Sequence, residues 1–356
     1  MSVYDKMKIA KAYVGGVMNL YHKQNHEDDF LYDAYTADAK QKFSRISLSL
    51  LLCIFVTNAT AFILNLVLSK FDVYTQLAEN VYFQWAISLL PLYFFGIPAA
   101  YLCLRRMKVT KPKSTKMELG ELLLLFLVGR FLTLLGSQIS NALISVTEGF
   151  LNREITDTTS ELLFQTPWWL IFIAAVIIAP IAEEFVYRKL IIDRLYVHGE
   201  LVAILFSSVV FSLAHGNFFQ VFYAFFNGCI LGLIYTRTGR LRYTIAFHMA
   251  TNFLGSIVVL PLIDVQERLE VLISESNMGA QYLFLSLTIT GYSIAKMFVA
   301  ILGAIILFKS YRKYLPNRRA LCPLPNGQGA RIAMLNAGFI AFLAISILEF
   351  MLSLSI

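Results

Sequence analysis

Long apolar runs alternate along the chain with short polar, charged breaks. The runs cover about 46–69, 81–104, 119–145, 168–187, 200–216, 218–236, 243–262, 280–308 and 333–355. A helix needs roughly 20 apolar residues to cross a hydrocarbon core, so most of these segments predict a membrane-spanning helix. The fifth and sixth are short and nearly contiguous, which puts the count at eight or nine. The runs are continuous, not alternating, and that excludes a transmembrane β-barrel. The predicted fold class is all-α: a polytopic transmembrane helical bundle of about eight or nine spans.

Ahead of the first run, Val3, Met7, Ala10, Val14 and Val17 recur at three-to-four spacing, with Lys6, Lys8 and Lys11 between them. This pattern fits an amphipathic helix on an anionic membrane surface. A cytoplasmic lead-in packed on the bundle fits equally well. Residues 1–45 are read as this N-terminal segment, 46–145 as accessory spans and 261–356 as C-terminal spans.

Composition narrows the class. Of 356 residues, 58% are hydrophobic and only 15% charged, where a soluble domain carries roughly a quarter charged residues. The net charge of +7 belongs to loops and does not signal nucleic-acid binding. Arg105, Arg106, Lys108, Lys111, Lys113 and Lys116 follow the second run, and Arg237, Arg240 and Arg242 follow the sixth. Lys309, Arg312, Lys313, Arg318, Arg319 and Arg331 follow the eighth. Alternation from a cytoplasmic N-terminus places all three basic loops inside, and the acidic breaks near 146–167 and 263–279 outside. Cys53, Cys103, Cys229 and Cys322 are far apart and form no CxxC pair, so neither a zinc ribbon nor a disulfide framework is implied.

Polar residues inside spans cost roughly 2.5 to 3.5 kcal/mol each on insertion scales, and so need a reason. Arg130, Asn141 and Lys296 are isolated and read as helix pairing or snorkelling. A denser cluster occupies three runs. Pro180-Ile181-Ala182-Glu183-Glu184-Phe185-Val186-Tyr187-Arg188 closes the fourth, Phe211-Ser212-Leu213-Ala214-His215 closes the fifth, and His248-Met249-Ala250-Thr251-Asn252 lies in the seventh. Glu184 and Arg188 stand at i and i+4 and can pair, as do His248 and Asn252 on one face. A glutamate in a low-dielectric site can act as a general base, a histidine can relay its proton, and a carboxamide can hold an oxyanion. A buried Glu–Arg–His network that only fixes helix packing is the alternative.

The ordered trio EExxxR, FxxxH and HxxxN resembles the CAAX protease and bacteriocin-processing (CPBP, or Abi) family, which includes the type II CAAX prenyl endopeptidases. The likeness covers about residues 165–260, read as the core. It implies an intramembrane glutamate-type endopeptidase in which Glu183 and His215 activate water, while His248 and Asn252 form the oxyanion site. Glu184 and Arg188 then support them. The implied substrate is a peptide or membrane protein, of CAAX type or from bacteriocin or leader processing. The implied location is a bacterial plasma membrane, with the lipid bilayer as the other partner.

Two histidines and a glutamate also match a His₂Glu zinc shell. A ligated Glu183 could not serve as the base, however, and Asn252 is a poor zinc ligand. The expectation is therefore no cofactor, with a divalent metal such as zinc as the alternative. His22 and His26 lie in a polar stretch with no third fixed ligand. No HExxH and no GxSxG occurs. A proton-coupled transporter would need repeated halves, and no second copy of the motif helices is present. A non-catalytic bacteriocin immunity or scaffold protein is the other rival. His215 raises a conflict of depth, since it ends an inside-to-outside span while Glu183 ends a span running inward.

Overall fold

The computed structural model describes residues 26–315, 320–325 and 327–353. Among the described residues nine apolar helices form the bundle: α1 (His26–Leu68), α2 (Val81–Leu104), α3 (Leu119–Leu151), α4 (Trp168–His198), α5 (Glu200–Leu213), α6 (Phe218–Thr238), α7 (Leu241–Gly255), α8 (Ala280–Tyr314) and α9 (Ala337–Ser353). Among these residues seven segments are long and apolar enough to cross a membrane, with α7 counted together with the helix that follows it to Ser274; α5 and α9 are shorter. Among the described residues there is no strand. The chain is a multi-pass membrane protein.

Two helix ends depart furthest from the apolar runs, each for a physical reason. The described part of helix α1 reaches back to His26, well before the run at 46. Ala39, Phe43, Ile46 and Leu50 form a buried stripe at helical spacing, so residues 26–45 are one helix with the first span. The stripe packs α1 along α9. The amphipathic pattern from Val3 to Val17, and His22, lie outside the described residues.

Helix α4 runs on to His198, past the point where charged residues end its apolar run. Those charges are satisfied locally. Lys189 pairs with Asp193 at 3.1 Å, and Asp193 accepts from the Tyr235 hydroxyl at 2.8 Å. Arg194 donates to the carbonyls of Leu104 and Leu190. Glu183 is therefore mid-helix. The chain reverses at Gly199, whose φ of +127° favours glycine. Glu183 lies sixteen residues before that corner and His215 sixteen after. The two reach similar depth on the antiparallel pair α4 and α5, which removes the conflict of depth.

The basic loops meet at one end of the bundle. The backbone N–H of Thr110 donates to Asp193 and that of Thr115 to Thr238. Arg240 Nε donates to Ser114 at 2.9 Å, and Arg237 donates to the carbonyls of Lys313 and Leu315. In the Gly228-Cys229-Ile230-Leu231-Gly232 motif of α6, a Cβ on either glycine would stand 3.1 Å from Ser208 or Ile204 of α5. Small residues thus bring α6 against a motif-bearing helix.

Candidate active site

Helix α4 supplies three of the six singled-out residues. Glu184 and Arg188 are one turn apart and fully buried, and they pair with Nε to Oε2 at 3.0 Å and Nη2 to Oε1 at 3.3 Å. Arg188 Nη1 also donates to Ser207 Oγ of α5 at 3.1 Å, and that hydroxyl donates to the Tyr187 carbonyl at 2.9 Å. The guanidinium is thus paired and hydrogen-bonded, the condition under which a buried charge is tolerated.

His248 of α7 lies between the two glutamates. Its Nδ1 is 3.0 Å from Glu184 Oε1 and its Nε2 is 3.5 Å from Glu183 Oε2. The Glu184 carboxylate beside Arg188 accepts at this position, so the ring donates from Nδ1. That bond fixes the ring and leaves Nε2 facing Glu183. The Glu183 side chain is 31% exposed while that of Glu184 is 0%. Adjacent carboxylates therefore occupy different settings: Glu184 is locked, and Glu183 is open on one side.

His215 lies just past α5, in a turn built for it. Gly216 adopts φ +67°, and Asn217 caps α6 by accepting from the Gln220 N–H at 2.9 Å while donating to the His215 carbonyl at 3.2 Å. Nδ1 of His215 is 2.8 Å from the Phe211 carbonyl. Donation there sets the tautomer and leaves Nε2 bare, able to accept a proton. Phe211 is the hub of the site. Its ring meets His215 edge to face at 4.8 Å and His248 at 5.9 Å, and Arg188 Cζ stands 5.4 Å from its centroid.

Asn252 is tied back to α4, its Nδ2 donating to the Ala175 carbonyl at 2.8 Å. The backbone explains why that oxygen is open. Helix α4 has wide i→i−5 turns over Phe172–Ile178, and the Ala179 N–H bonds to Ala174 in place of Ala175. In this register the next donor would be residue 180, a proline, which has no N–H. Asn252 fills the gap and retains a second amide proton.

Glu183, Glu184, Arg188 and His248 are thus in direct contact, His215 joins through Phe211, and Asn252 through Ala175. An apolar groove of about 610 Å³ flanks the cluster without containing it; Val176 and Ile177 of α4 and Met249 and Phe253 of α7 line it. Among the described residues no three His, Cys, Asp or Glu side chains form a group able to hold a metal. Ser207 and the Ala175 carbonyl were not legible as members of the site. Pro180 inside an apolar run was the one signal that α4 has an open carbonyl.

Residues 165–254 match the family described as type II CAAX prenyl endopeptidase Rce1-like. The chain is a membrane peptidase, and its residues 165–254 are similar to that family. The match begins at the short helix before α4 and ends within α7, so this Rce1-like region contains all six residues. The membrane-embedded CAAX protease MroQ of Staphylococcus aureus (strain USA300) is 28% identical over 193 residues, covering 50% of this chain and 76% of that protein. A Bacillus subtilis (strain 168) protein named "Putative membrane peptidase YdiL" is 29% identical over 167 residues, covering 45% and 67% respectively. No solved structure matches the chain.

Proposed function

We propose that this peptidase is a glutamate-type intramembrane endopeptidase in which Glu183 is the general base. The observation that carries this reading is the contrast between the two carboxylates on either side of His248. Glu184 is held by Arg188 and His248 Nδ1, while Glu183 is partly open and held only by the longer 3.5 Å approach of Nε2. An open carboxylate in an apolar setting can take a proton from water.

In this mechanism Glu183, with the bare Nε2 of His215, removes a proton from a water molecule. The hydroxyl oxygen attacks the scissile carbonyl carbon, and the C=O pair moves onto oxygen. The second amide proton of Asn252, and His248 when it carries a second proton at Nε2, stabilise that oxyanion. Collapse of the intermediate breaks the C–N bond, and the leaving nitrogen takes the proton held by Glu183. The products are a carboxylate and an amine. The substrate is a peptide or membrane-protein segment, of CAAX type or from leader or bacteriocin processing, and its apolar residues have the flanking groove beside them. Catalysis is metal-free in this reading, because Glu184 is committed to Arg188 and Asn252 to Ala175.

The test compares membrane peptides from cells carrying the wild type or Glu183→Gln, followed by product release from the peptide so identified. Glu183→Gln keeps shape and loses the acceptor, so a well-folded variant should release no product. His248→Ala should lose roughly 10²- to 10³-fold in rate, as for one oxyanion donor. Chelation should leave the wild-type rate unchanged. Full activity in folded Glu183→Gln would overturn the reading, and loss on chelation with rescue by zinc would replace it with a metal mechanism.

A further inference from the structure

Arg130 of α3 carries a charge that no ion pair among the described residues offsets. Its Nη2 donates to Thr133 at 3.0 Å, and its Cζ lies 5.5 Å from the Phe126 ring. Its Nε is enclosed and has no hydrogen-bond partner. Among the described residues none of the ion pairs includes it. A glutamate in this position could lose its charge by protonation, but a guanidinium stays charged in proteins. The sequence expectation of pairing with another helix is not met by any acid. Tyr292 of α8 is near enough to act on Arg130 electrostatically, and Lys296 stands over the Tyr292 ring at 5.6 Å. The neighbourhood thus holds a second cation, and no carboxylate among the described residues pairs with Arg130.

Position gives this charge a use. Arg130 and Asn252 each lie eleven residues past the first residue of their helices, Leu119 and Leu241. Those two starts are joined where the Met117 N–H meets the Tyr243 hydroxyl at 3.4 Å. At 1.5 Å per residue both side chains stand roughly 16 Å into the bundle from that end. They are close laterally as well. Phe126, under the guanidinium, meets Phe247 edge to face at 5.2 Å, and Phe247 precedes His248. A Cβ at Gly129 would stand 3.0 Å from the same Phe247 ring, so α3 and α7 approach closely here. Phe126 also forms one wall of the apolar groove that Val176, Ile177, Met249 and Phe253 line beside the site.

We infer that Arg130 anchors a substrate carboxylate whose apolar neighbours occupy this groove, and so sets which bond reaches Glu183. An apolar groove with a guanidinium carbon 5.5 Å from the Phe126 ring of its wall is complementary to an apolar peptide segment bearing one carboxylate. A lipid phosphate sits at headgroup level, well short of this depth. The carboxylate can come from a free chain end or from an Asp or Glu side chain. The inference rests on the peptidase reading above, but it is a statement about binding and is tested without turnover.

The experiment uses the full chain in lipid nanodiscs, wild type and Glu183→Gln, and three dansyl peptides read by fluorescence anisotropy. They are Ala-Val-Leu-Phe as free acid, the same peptide as C-terminal amide, and Ala-Val-Leu-Asp as amide. The free acid should bind roughly ten- to hundred-fold more tightly than the first amide, the scale of a charge-assisted hydrogen bond. Arg130→Gln should abolish that preference and leave the amide's affinity unchanged, and Arg130→Lys should keep part of it. Tight binding of the Asp peptide would assign the carboxylate to a side chain; weak binding would assign it to the chain end. Equal binding of acid and both amides by the wild type, or no binding of any, overturns the inference whatever the variants do. So does a preference retained in folded Arg130→Gln. Loss of cleavage in Glu183→Gln bears only on the peptidase mechanism, so the two failures are separable.

Discussion

Two adjacent glutamates have different consequences when altered, and their surroundings determine which. Glu184 and Arg188 are both fully buried and bonded to one another. Glu184→Gln leaves Arg188 as an unpaired buried cation, and Arg188→Ala leaves Glu184 as an unpaired anion. Breaking one side of such a pair costs about 3–5 kcal/mol. Both variants should therefore lower folded yield and thermal midpoint, read by size-exclusion chromatography and a melting curve. Glu183→Gln, on a partly exposed side chain, should leave both near wild type. Equal loss of stability in the Glu183 and Glu184 variants would contradict the division of labour. The i,i+4 spacing made the Glu184–Arg188 pair legible in the sequence. The bond from His248 Nδ1 to Glu184 was not, because it joins residues 64 apart on helices whose relative rotation no local pattern fixes.

At the scale of the helix, apolar runs located all nine elements but misplaced several of their ends, the start of α1 and the end of α4 most. A hydropathy run stops where charges begin, whereas a helix stops where its backbone loses partners. Lys189, Asp193 and Arg194 ended the run of α4 at 187 without ending the helix, since each is satisfied by a side chain or carbonyl in the bundle. The same local backbone yields a test. Asn252 holds an Ala175 carbonyl that Pro180 cannot serve. Asn252→Ala alone strands that oxygen, at about 1–3 kcal/mol. Pro180→Ala supplies an N–H that can take the vacancy. In a double-mutant cycle on thermal stability, Asn252→Ala should cost less in the Pro180→Ala background, with coupling on the order of 1 kcal/mol. Strict additivity would mean that the open carbonyl is not what Asn252 is there to satisfy.

For the molecule as a whole, the basic loops act as one surface. The strap from Arg105 to Lys116 is held to α4 and α6 by the Thr110 and Thr115 bonds and to Arg240 by Ser114. Arg237 ties the end of α8 to the same place. Helices that enter and leave the bilayer an even number of spans apart must share a side, and these bonds bring their ends together. Loops rich in Lys and Arg remain in the cytoplasm, which assigns this end to the inside. Single cysteines at Lys113, Arg240 and Lys309, in a background where the four native cysteines are replaced, should all label with a membrane-impermeant maleimide only after cells are opened. Cysteines at Glu154 and Asn277, which lie in breaks on the opposite side in this topology, should label in intact cells. Glu183 lies fifteen residues from the end of α4 at His198, on the order of 20 Å from the basic surface at helical rise. A cysteine at Ile181 on the exposed face of α4 should resist the impermeant reagent in both cases and react with a lipid-soluble one. Labelling of Ile181→Cys by the impermeant reagent from the basic side would place the glutamates on a water-filled path open to the cytoplasm, and substrate would then reach them from water and not laterally through the bilayer.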